Sequence, residues 1–219
     1  VSQRTGIPRT AARRHLLSLC HFGYAQTDGK FFWLAPRVLR LGQSYLGAAR
    51  LPRLVQPFIQ RLSMATGETV NVSVLDGHEV VYVARSNSPR LVSIGFHVGD
   101  RAPAHAVSPG VVLLSRMSER TVQRWVQAHE FAGFSGVTTT DSGAFLAQVA
   151  TARRTDHWIA QQQLDSTLGG VALPLVDRHG TCKAALSMTL QVQSWPAAAV
   201  EEKLVPALRE TALTLIPLL

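Results

Sequence analysis

Three arginines and a threonine lie near the start of the chain, within residues 8–23 (P-R-T-A-A-R-R-H-L-L-S-L-C-H-F-G). Pro8 suits the first turn of a helix and Gly23 suits its end. At about 100° per residue, the polar side chains share one side of that helix: Arg9, Thr10, Arg13 and Arg14. Arginines so placed can pair with guanine edges or phosphates in a DNA major groove. The alternative is an ordinary surface helix with solvated charges.

A second set of polar residues lies on apolar strands towards the end of the chain. Residues 184–190 (A-A-L-S-M-T-L) place Ser187 and Thr189 on one strand face, because side chains two apart point the same way. Gln161 and Gln163 share a face on a strand expected nearby, and Gly170 leaves space above its backbone. This pattern predicts a pocket for a small polar ligand. The alternative is that the hydroxyls bond local backbone.

Three further residues could hold a negatively charged ligand in that pocket. Arg85 and Arg101 could each supply a full positive charge, and His105 could supply an imidazole. Each also has a plain interpretation, because the arginines could be solvated strand ends and the histidine could pack at the start of a helix.

Motifs for catalysis and metal binding are absent from the sequence. It has no phosphate loop, zinc-binding helix motif or nucleophile elbow. Cys20 and Cys182 are far apart, and the eight histidines show no ligand spacing. We therefore expect no enzyme activity, no metal and no cofactor. No apolar run is long enough to span a membrane and no leader opens the sequence, so we expect a cytoplasmic protein without a membrane partner.

The arginine-bearing helix has neighbours that predict a complete motif. Residues 1–7 read as the end of a shorter helix and a turn at Gly6. Residues 24–34 read as two short strands around Asp28-Gly29, with Lys30 at the tip. Together these elements predict a winged helix-turn-helix. Because the chain begins within this motif, we expect its first helix to be missing from this numbering.

Charge is distributed unevenly along the chain, whose net charge is +8. Residues 1–61 carry ten basic residues against one acid, whereas the remainder carries twelve basic and thirteen acidic residues. A basic segment joined to a nearly neutral body predicts that the first part meets a polyanion, here double-stranded DNA.

The patterns divide the chain into three parts: a DNA-binding segment over 1–35, linker helices over 36–67, and a ligand-binding body over 68–219. The linker could form a dimer seam or pack on the body. Within the body we expect strands over 69–76, 79–85 and 91–98, then three helices, then strands over 157–163, 170–176 and 182–190, and a closing helix. This order predicts an α+β domain with an antiparallel sheet covered by helices on one face.

Several segments together resemble the IclR family of bacterial transcription regulators over essentially the whole chain. They are T-G-I-P-R-T-A-A-R-R, W-L-A-P-R-V-L-R-L-G, G-E-T-V-N-V-S-V-L-D-G-H-E-V-V-Y-V-A-R, V-G-D-R-A-P-A-H-A-V-S-P-G-V-V-L-L, G-G-V-A-L-P-L-V-D-R-H-G and A-A-L-S-M-T-L. The recognition-helix sequence T-A-A-R-R and the F-W-L segment are most similar to the aromatic-acid-catabolism (PcaU/PobR-like) branch.

This resemblance implies a winged-helix domain, a linker helix and a GAF-like effector domain, assembled as a homodimer or homotetramer. It also implies small carboxylate effectors, aromatic acids among them. The sequence departs from the family at residues 161–170, where Gln161–Gln163 replace the usual carboxylates and Gly169-Gly170 replace an Arg-Cys-like pair. The competing hypothesis is a small-molecule-binding or enzymatic α+β domain whose N-terminal segment serves only oligomerisation.

Overall fold

The computed structural model describes residues 1–88 and 95–219, apart from the side chains of residues 45–48. The chain divides into two units, Val1–Ala49 and Arg50–Leu219. The division falls inside the predicted linker, so the predicted boundaries after residues 35 and 67 stay predictions. Each unit is described separately.

The first unit is a run of short helices interrupted by a two-stranded hairpin. Its elements are α1 (Ser2–Thr5), α2 (Arg9–His21), β1 (Ala25–Thr27), β2 (Phe32–Leu34), a 3-10 turn (Pro36–Val38) and α3 (Leu39–Ala48). Gly6 has φ 71°, a left-handed conformation that a glycine adopts without steric penalty, and it ends α1. The hairpin is antiparallel, with Ala25 opposite Leu34.

The second unit is built on a six-stranded antiparallel sheet. In chain order its strands are β3 (Thr69–Asp76), β4 (Glu79–Ser86), β5 (Arg101–Pro103), β6 (Trp158–Gln161), β7 (Leu168–Val176) and β8 (Cys182–Gln191). Their spatial order is β5-β4-β3-β8-β7-β6, so β3 and β8, from opposite ends of the unit, pair at the centre. The α+β class and the antiparallel sheet are as predicted.

Helices cover this sheet. They are α4 (Arg50–Thr66), α5 (Ser108–Ser115), α6 (Glu119–Gln127), α7 (Ser142–Thr155), α8 (Ala197–Ala199) and α9 (Val205–Leu215). A π-helical stretch, Val200–Leu204, joins α8 to α9. The Asp141 carboxylate accepts a hydrogen bond from the Ala144 N–H at 2.7 Å and caps α7.

The prediction that helices cover only one sheet face was wrong. On one face, Leu186 and Met188 pack with residues of α4 and α9. On the opposite face, Ala172 and Ala185 pack against α5. Small side chains on that second face let α5 approach the sheet closely. The alternation of residue types along the strands did not indicate that a helix would cover this face. Packing of α4 on the sheet also means that this part of the linker segment belongs to the second unit.

The predicted strand over 91–98 falls partly outside the described residues, because residues 89–94 are not among them. Residues 95–98 form no strand, and this part of the prediction was wrong. The strand that pairs with β4 is instead β5, with Ala102 opposite Val80. Gly95 and Gly99 have φ of 107° and 95°, values that a strand does not accommodate.

Candidate functional site

A cavity lies between the sheet and the start of α5. Its empty volume is about 420 Å³, part of which is open to solvent. The floor comes from β7 and β8, one wall from β4 and the segment after residue 94, and the other wall from residues 106–109 and 160–168. A concave site with an apolar lining and a few polar groups is typical of small organic ligands. Four predicted site residues line the cavity: Gln163, Gly170, Ser187 and Thr189.

Four hydroxyl groups reach the cavity lining, those of Tyr82, Ser108, Ser187 and Thr189. Within the described residues, none of these hydroxyls donates a hydrogen bond to a protein acceptor. Thr189 Oγ1 does accept one, from Asn71 Nδ2 at 3.1 Å. Since each hydroxyl carries one proton, the cavity presents several donors that a ligand acceptor can use.

The start of α5 closes over β7 because Gly170 has no side chain. A Cβ at this position would lie 3.0 Å from Ser108 Oγ and 3.0 Å from the Met188 carbonyl oxygen. Ser108 is therefore held against the sheet, with the N-terminal end of an eight-residue helix behind it. Helix N-termini attract negative charge. This end of the cavity consequently favours an anionic group, although the described lining residues include no lysine, arginine or histidine.

An aromatic wall stands on the β4 side of the cavity. The rings of Tyr82 and Phe96 stack with centroids 4.4 Å apart and an interplanar angle of 9°. The segment carrying Phe96 is fastened to β4, because Gly99 N–H donates to the Tyr82 carbonyl at 2.8 Å. Burial raises the pKa of the Tyr82 phenol, so its hydroxyl is protonated at neutral pH. A flat apolar surface with a phenolic donor suits a planar ring.

The two predicted glutamines take different positions. Gln163 lines the cavity, but its amide is committed to the neighbouring loop, because Oε1 accepts from Thr139 N–H at 2.9 Å and Nε2 donates to the Val137 carbonyl at 3.0 Å. Gln161 lies opposite Gly169 and donates to the Trp195 carbonyl at 3.4 Å, away from the cavity lining. The two do not share a face because β6 ends at Gln161 and Gln162 turns the chain with φ 56°.

The two predicted arginines also lie apart from the cavity lining. Arg101 is on β5 and bonds Asp76 and Glu79, each at 2.7 Å. These two carboxylates raise the pKa of the Arg101 guanidinium. Arg85 is near the end of β4, where its Nε donates to Asn87 Oδ1 at 2.6 Å, and burial lowers its pKa. Both guanidiniums therefore have acceptors in the protein.

His105 lies behind the cavity wall, in a series of three imidazoles. Its Nδ1 is 2.7 Å from His129 Nε2, and His129 Nδ1 is 3.0 Å from His78 Nδ1. At the other end, His105 Nε2 is 3.0 Å from the Ala132 carbonyl oxygen. The rings are bonded in series and do not converge on one point. Among the described residues, no group of three histidines, cysteines or carboxylates is placed to hold a metal ion.

Residues that the sequence did not single out complete the cavity. Tyr82, Phe96 and Ser108 line it, and Asn71, on the neighbouring strand, donates a hydrogen bond to Thr189. For Asn71 a signal was present, because polar residues alternate with valines along β3, as Ser187 and Thr189 alternate with apolar residues along β8. Ser108 carries no such signal, since its position follows from the packing of α5 on Gly170.

The arginines of α2 are exposed on one side of the first unit. Arg9, Thr10, Arg13 and Arg14 are all solvent-accessible, whereas Ala12 on the opposite side is buried. The guanidinium of Arg13 lies 5.8 Å from the centroid of the Phe32 ring in the hairpin. Within the described residues, none of the three arginines forms an ion pair. The predicted DNA-contact side chains thus share one exposed surface.

The hairpin tip is held by a single carboxylate. Asp28 Oδ1 accepts from Lys30 N–H at 2.9 Å and from Phe31 N–H at 2.7 Å. These bonds lower the pKa of Asp28. The only acid of the first unit is therefore engaged in shaping the turn, and the exposed Lys30 ammonium extends from it.

Among the described residues, no helix is long and apolar enough to cross a membrane.

Comparison with known proteins gives consistent matches. The family described as bacterial transcriptional regulator IclR C-terminal matches residues 43–216. The p-hydroxybenzoate hydroxylase transcriptional activator of Acinetobacter baylyi is 38% identical over 217 residues, covering 97% of this chain and 80% of that protein.

Two solved structures are also similar. The inducer-binding domain of the PobR transcription factor from Acinetobacter, a double mutant in complex with 3-hydroxybenzoic acid, has a TM-score of 0.74 and 32% identity, covering 78% of this chain and 100% of that one. An IclR homologue from Microbacterium hydrocarbonoxydans complexed with 4-hydroxybenzoate has a TM-score of 0.74 and 25% identity, covering 97% and 86%.

Proposed function

The chain belongs to the IclR family of bacterial transcriptional regulators, and from this membership we propose that it binds operator DNA through Val1–Ala49 and a hydroxybenzoate-class acid through Arg50–Leu219. The proposal for the ligand rests on one observation. Four hydroxyls without protein acceptors, within the described residues, surround a cavity that has an aromatic wall. Its relatives are named as regulators of transcription and not as enzymes, so they give no support to the hypothesis of an enzymatic domain.

The ligand ring lies against the stacked rings of Tyr82 and Phe96. Its carboxylate faces Ser187, Thr189 and the start of α5, where hydroxyl donors and the helix N-terminus both favour negative charge. No cation is needed in this arrangement, because hydrogen bonds to a charged acceptor contribute about 1.5–3 kcal/mol each. An aromatic acid uses both halves of the cavity, whereas a short keto acid uses only the hydroxyl side.

The first unit acts as a winged helix-turn-helix. The α2 arginines enter the major groove and Lys30 contacts a phosphate beside it. A homodimer or homotetramer presents two such helices to paired half-sites on double-stranded DNA. Because its target is chromosomal DNA, the protein works in the cytoplasm.

The ligand proposal is tested by thermal denaturation and calorimetric titration of the natural full-length protein. We expect 3- and 4-hydroxybenzoate to stabilise it, by about 2.7 kcal/mol at a hundredfold excess over Kd. Cyclohexanecarboxylate tests the contribution of the aromatic wall, and pyruvate tests the hydroxyl side of the cavity alone. Both should bind at least about tenfold more weakly than the hydroxybenzoates. Equal responses to all four acids, or none, would contradict the proposal.

The DNA proposal is tested by a mobility-shift titration on the regulator's own upstream region, with and without the acid. We expect a specific complex at moderate salt that a scrambled duplex does not form. Failure to form any specific complex would overturn this half of the proposal.

A further inference from the structure

One buried amide lies beside the cavity floor, on the strand next to β8. Asn71, on β3, is opposite Ser187 of β8 and is completely buried. Its side chain is on the cavity face of the sheet, whereas the adjacent Val70 and Val72 pack in the core on the other face. Asn71 therefore lies on the same face as Ser187 and Thr189, on the strand between β8 and β4, and it is not among the residues that line the cavity.

Asn71 determines which atoms of the Thr189 hydroxyl remain available. Its Nδ2 donates to Thr189 Oγ1 at 3.1 Å. A threonine hydroxyl has one proton, and an incoming N–H directs that proton away from the donor. Gly95 approaches this side chain closely, since a Cβ there would lie 3.0 Å from Thr189 Cγ2 and 3.2 Å from Oγ1. The Thr189 proton is thereby left for the cavity.

Stability alone does not explain this amide. Among the described residues, Asn71 Oδ1 is buried and has no hydrogen-bond partner. A buried polar atom without a partner opposes folding, and an apolar residue of similar shape avoids that penalty. The bond to Thr189 is what the asparagine provides that a leucine cannot.

We propose that Asn71 is a positioning residue that makes Thr189 a dedicated hydrogen-bond donor, so that the cavity selects ligands presenting an acceptor, such as a carboxylate, over ligands presenting an amide N–H. This inference rests on the proposed binding of hydroxybenzoates. It adds a determinant of selectivity that acts through Thr189 without touching the ligand.

The test compares 4-hydroxybenzoate with 4-hydroxybenzamide by calorimetric titration of the full chain. In Asn71→Leu the Thr189 proton is no longer directed, and we expect the ratio of affinities for acid over amide to fall at least tenfold. In Asn71→Asp the new carboxylate accepts the Thr189 proton, and the ratio should fall further. Asn71→Ser, which keeps a small polar group, replaces the leucine variant if that protein fails to fold.

A double-mutant cycle with Thr189→Val separates positioning from general structure. If Asn71 acts through Thr189, Asn71→Leu leaves the ratio unchanged in the Thr189→Val background. A matched control is Ser73→Ala, since Ser73 is buried on the same strand, its Oγ has no partner among the described residues, and it does not line the cavity. It should leave the ratio unchanged.

An Asn71→Leu effect of equal size in both backgrounds would overturn the inference. An unchanged ratio in every Asn71 variant would also overturn it. Absence of hydroxybenzoate binding by the unmodified protein would instead contradict the proposed function, so the two failures are distinguishable.

Discussion

The Nε2 of His129 lies 2.7 Å from the Nδ1 of His105, and this contact determines the direction of a whole series of hydrogen bonds. A carbonyl oxygen only accepts, so His105 Nε2 carries the proton that faces Ala132. In neutral rings His129 Nε2 then donates to His105, and His78 Nδ1 donates to His129. His105 and His129 each use one ring proton and one lone pair, and a second proton on either ring breaks this order.

We expect the free energy of unfolding to decrease as the pH falls from about 6.5 towards 4. Burial, with the neighbouring His105 and His78, lowers the pKa of His129 to about 4, and burial lowers that of His105. The unfolded chain therefore binds more protons in this window, and stability present above pH 6.5 is lost below it. For His129 alone linkage gives about 2 kcal/mol at pH 5, which solvent screening at this partly exposed ring reduces to about 1 kcal/mol.

Urea denaturation followed by tryptophan fluorescence at pH 7.5, 6 and 5 measures this loss. His129→Gln should flatten the pH dependence, whereas His179→Gln, at an exposed turn, should leave it intact. If the free energy of unfolding changed with pH equally in the unmodified protein and in His129→Gln, the three histidines would not be the source of the loss of stability.

Ser187→Ala should weaken hydroxybenzoate binding by more than about tenfold, because it removes a donor to a charged group. Arg101→Ala is the matched control. Its guanidinium is paired with Asp76 and Glu79 on β5, so ligand affinity should not change. Calorimetric titration of both variants decides the point, and a larger loss in the arginine variant would place the carboxylate elsewhere.

Gly170→Ala should displace the start of α5 and weaken ligand binding. The added methyl group meets Ser108 Oγ and the Met188 carbonyl oxygen at 3.0 Å each, and overpacking of this kind costs about 1–3 kcal/mol. Gly136→Ala introduces the same group where nothing lies within 4 Å. Thermal denaturation and titration should show losses in the first variant only, and equal behaviour of the two would contradict the close approach.

Arg14→Ala should reduce operator affinity by about 1–3 kcal/mol if the guanidinium reads a base, and relax specificity at that position. Arg13→Ala should do the same and also release Phe32 from its contact. Lys30→Ala should weaken all sequences alike and reduce the salt slope by about one unit. Arg120→Ala removes an exposed charge from the second unit and serves as control. Unchanged binding by both α2 variants would mean that this helix surface does not face the DNA.

The strand and helix order of the second unit could be predicted because each segment has a clear period and a turn residue at its end. The family resemblance was confirmed by the comparisons. The segment after β4 could not be predicted, since residues 91–98 read as a strand while glycines at 95 and 99 take left-handed conformations that end any such strand. The covering of both sheet faces by helices could not be predicted either, because alanine residues on a strand do not show whether their face is covered by a helix.

The candidate site was predicted in part. Ser187 and Thr189 follow from strand alternation and Gly170 from its lack of a side chain, and all three line the cavity. Gln163 also lines it, but from a loop and not from the predicted strand face. Arg85 and Arg101 were chosen for their charge. The carboxylates that bond Arg101 come from neighbouring strands, so their proximity depends on sheet register, whereas the acceptor of Arg85 is Asn87, two residues further along the chain. Ser108 and Phe96 reach the cavity through tertiary packing, Ser108 at the start of α5 and Phe96 on the segment before β5. The role of each residue in binding remains a prediction.

The alternation along β8 separates two demands that a regulator must meet. Leu186 and Met188 pack in the hydrophobic core on one face, while Ser187 and Thr189 line the cavity on the other. We therefore expect substitutions at residues 187 and 189 to alter which molecule is bound without disturbing this hydrophobic cluster. A lineage of such proteins can diversify its inducers by drift on a single strand, and a designer can retune this sensor by the same route.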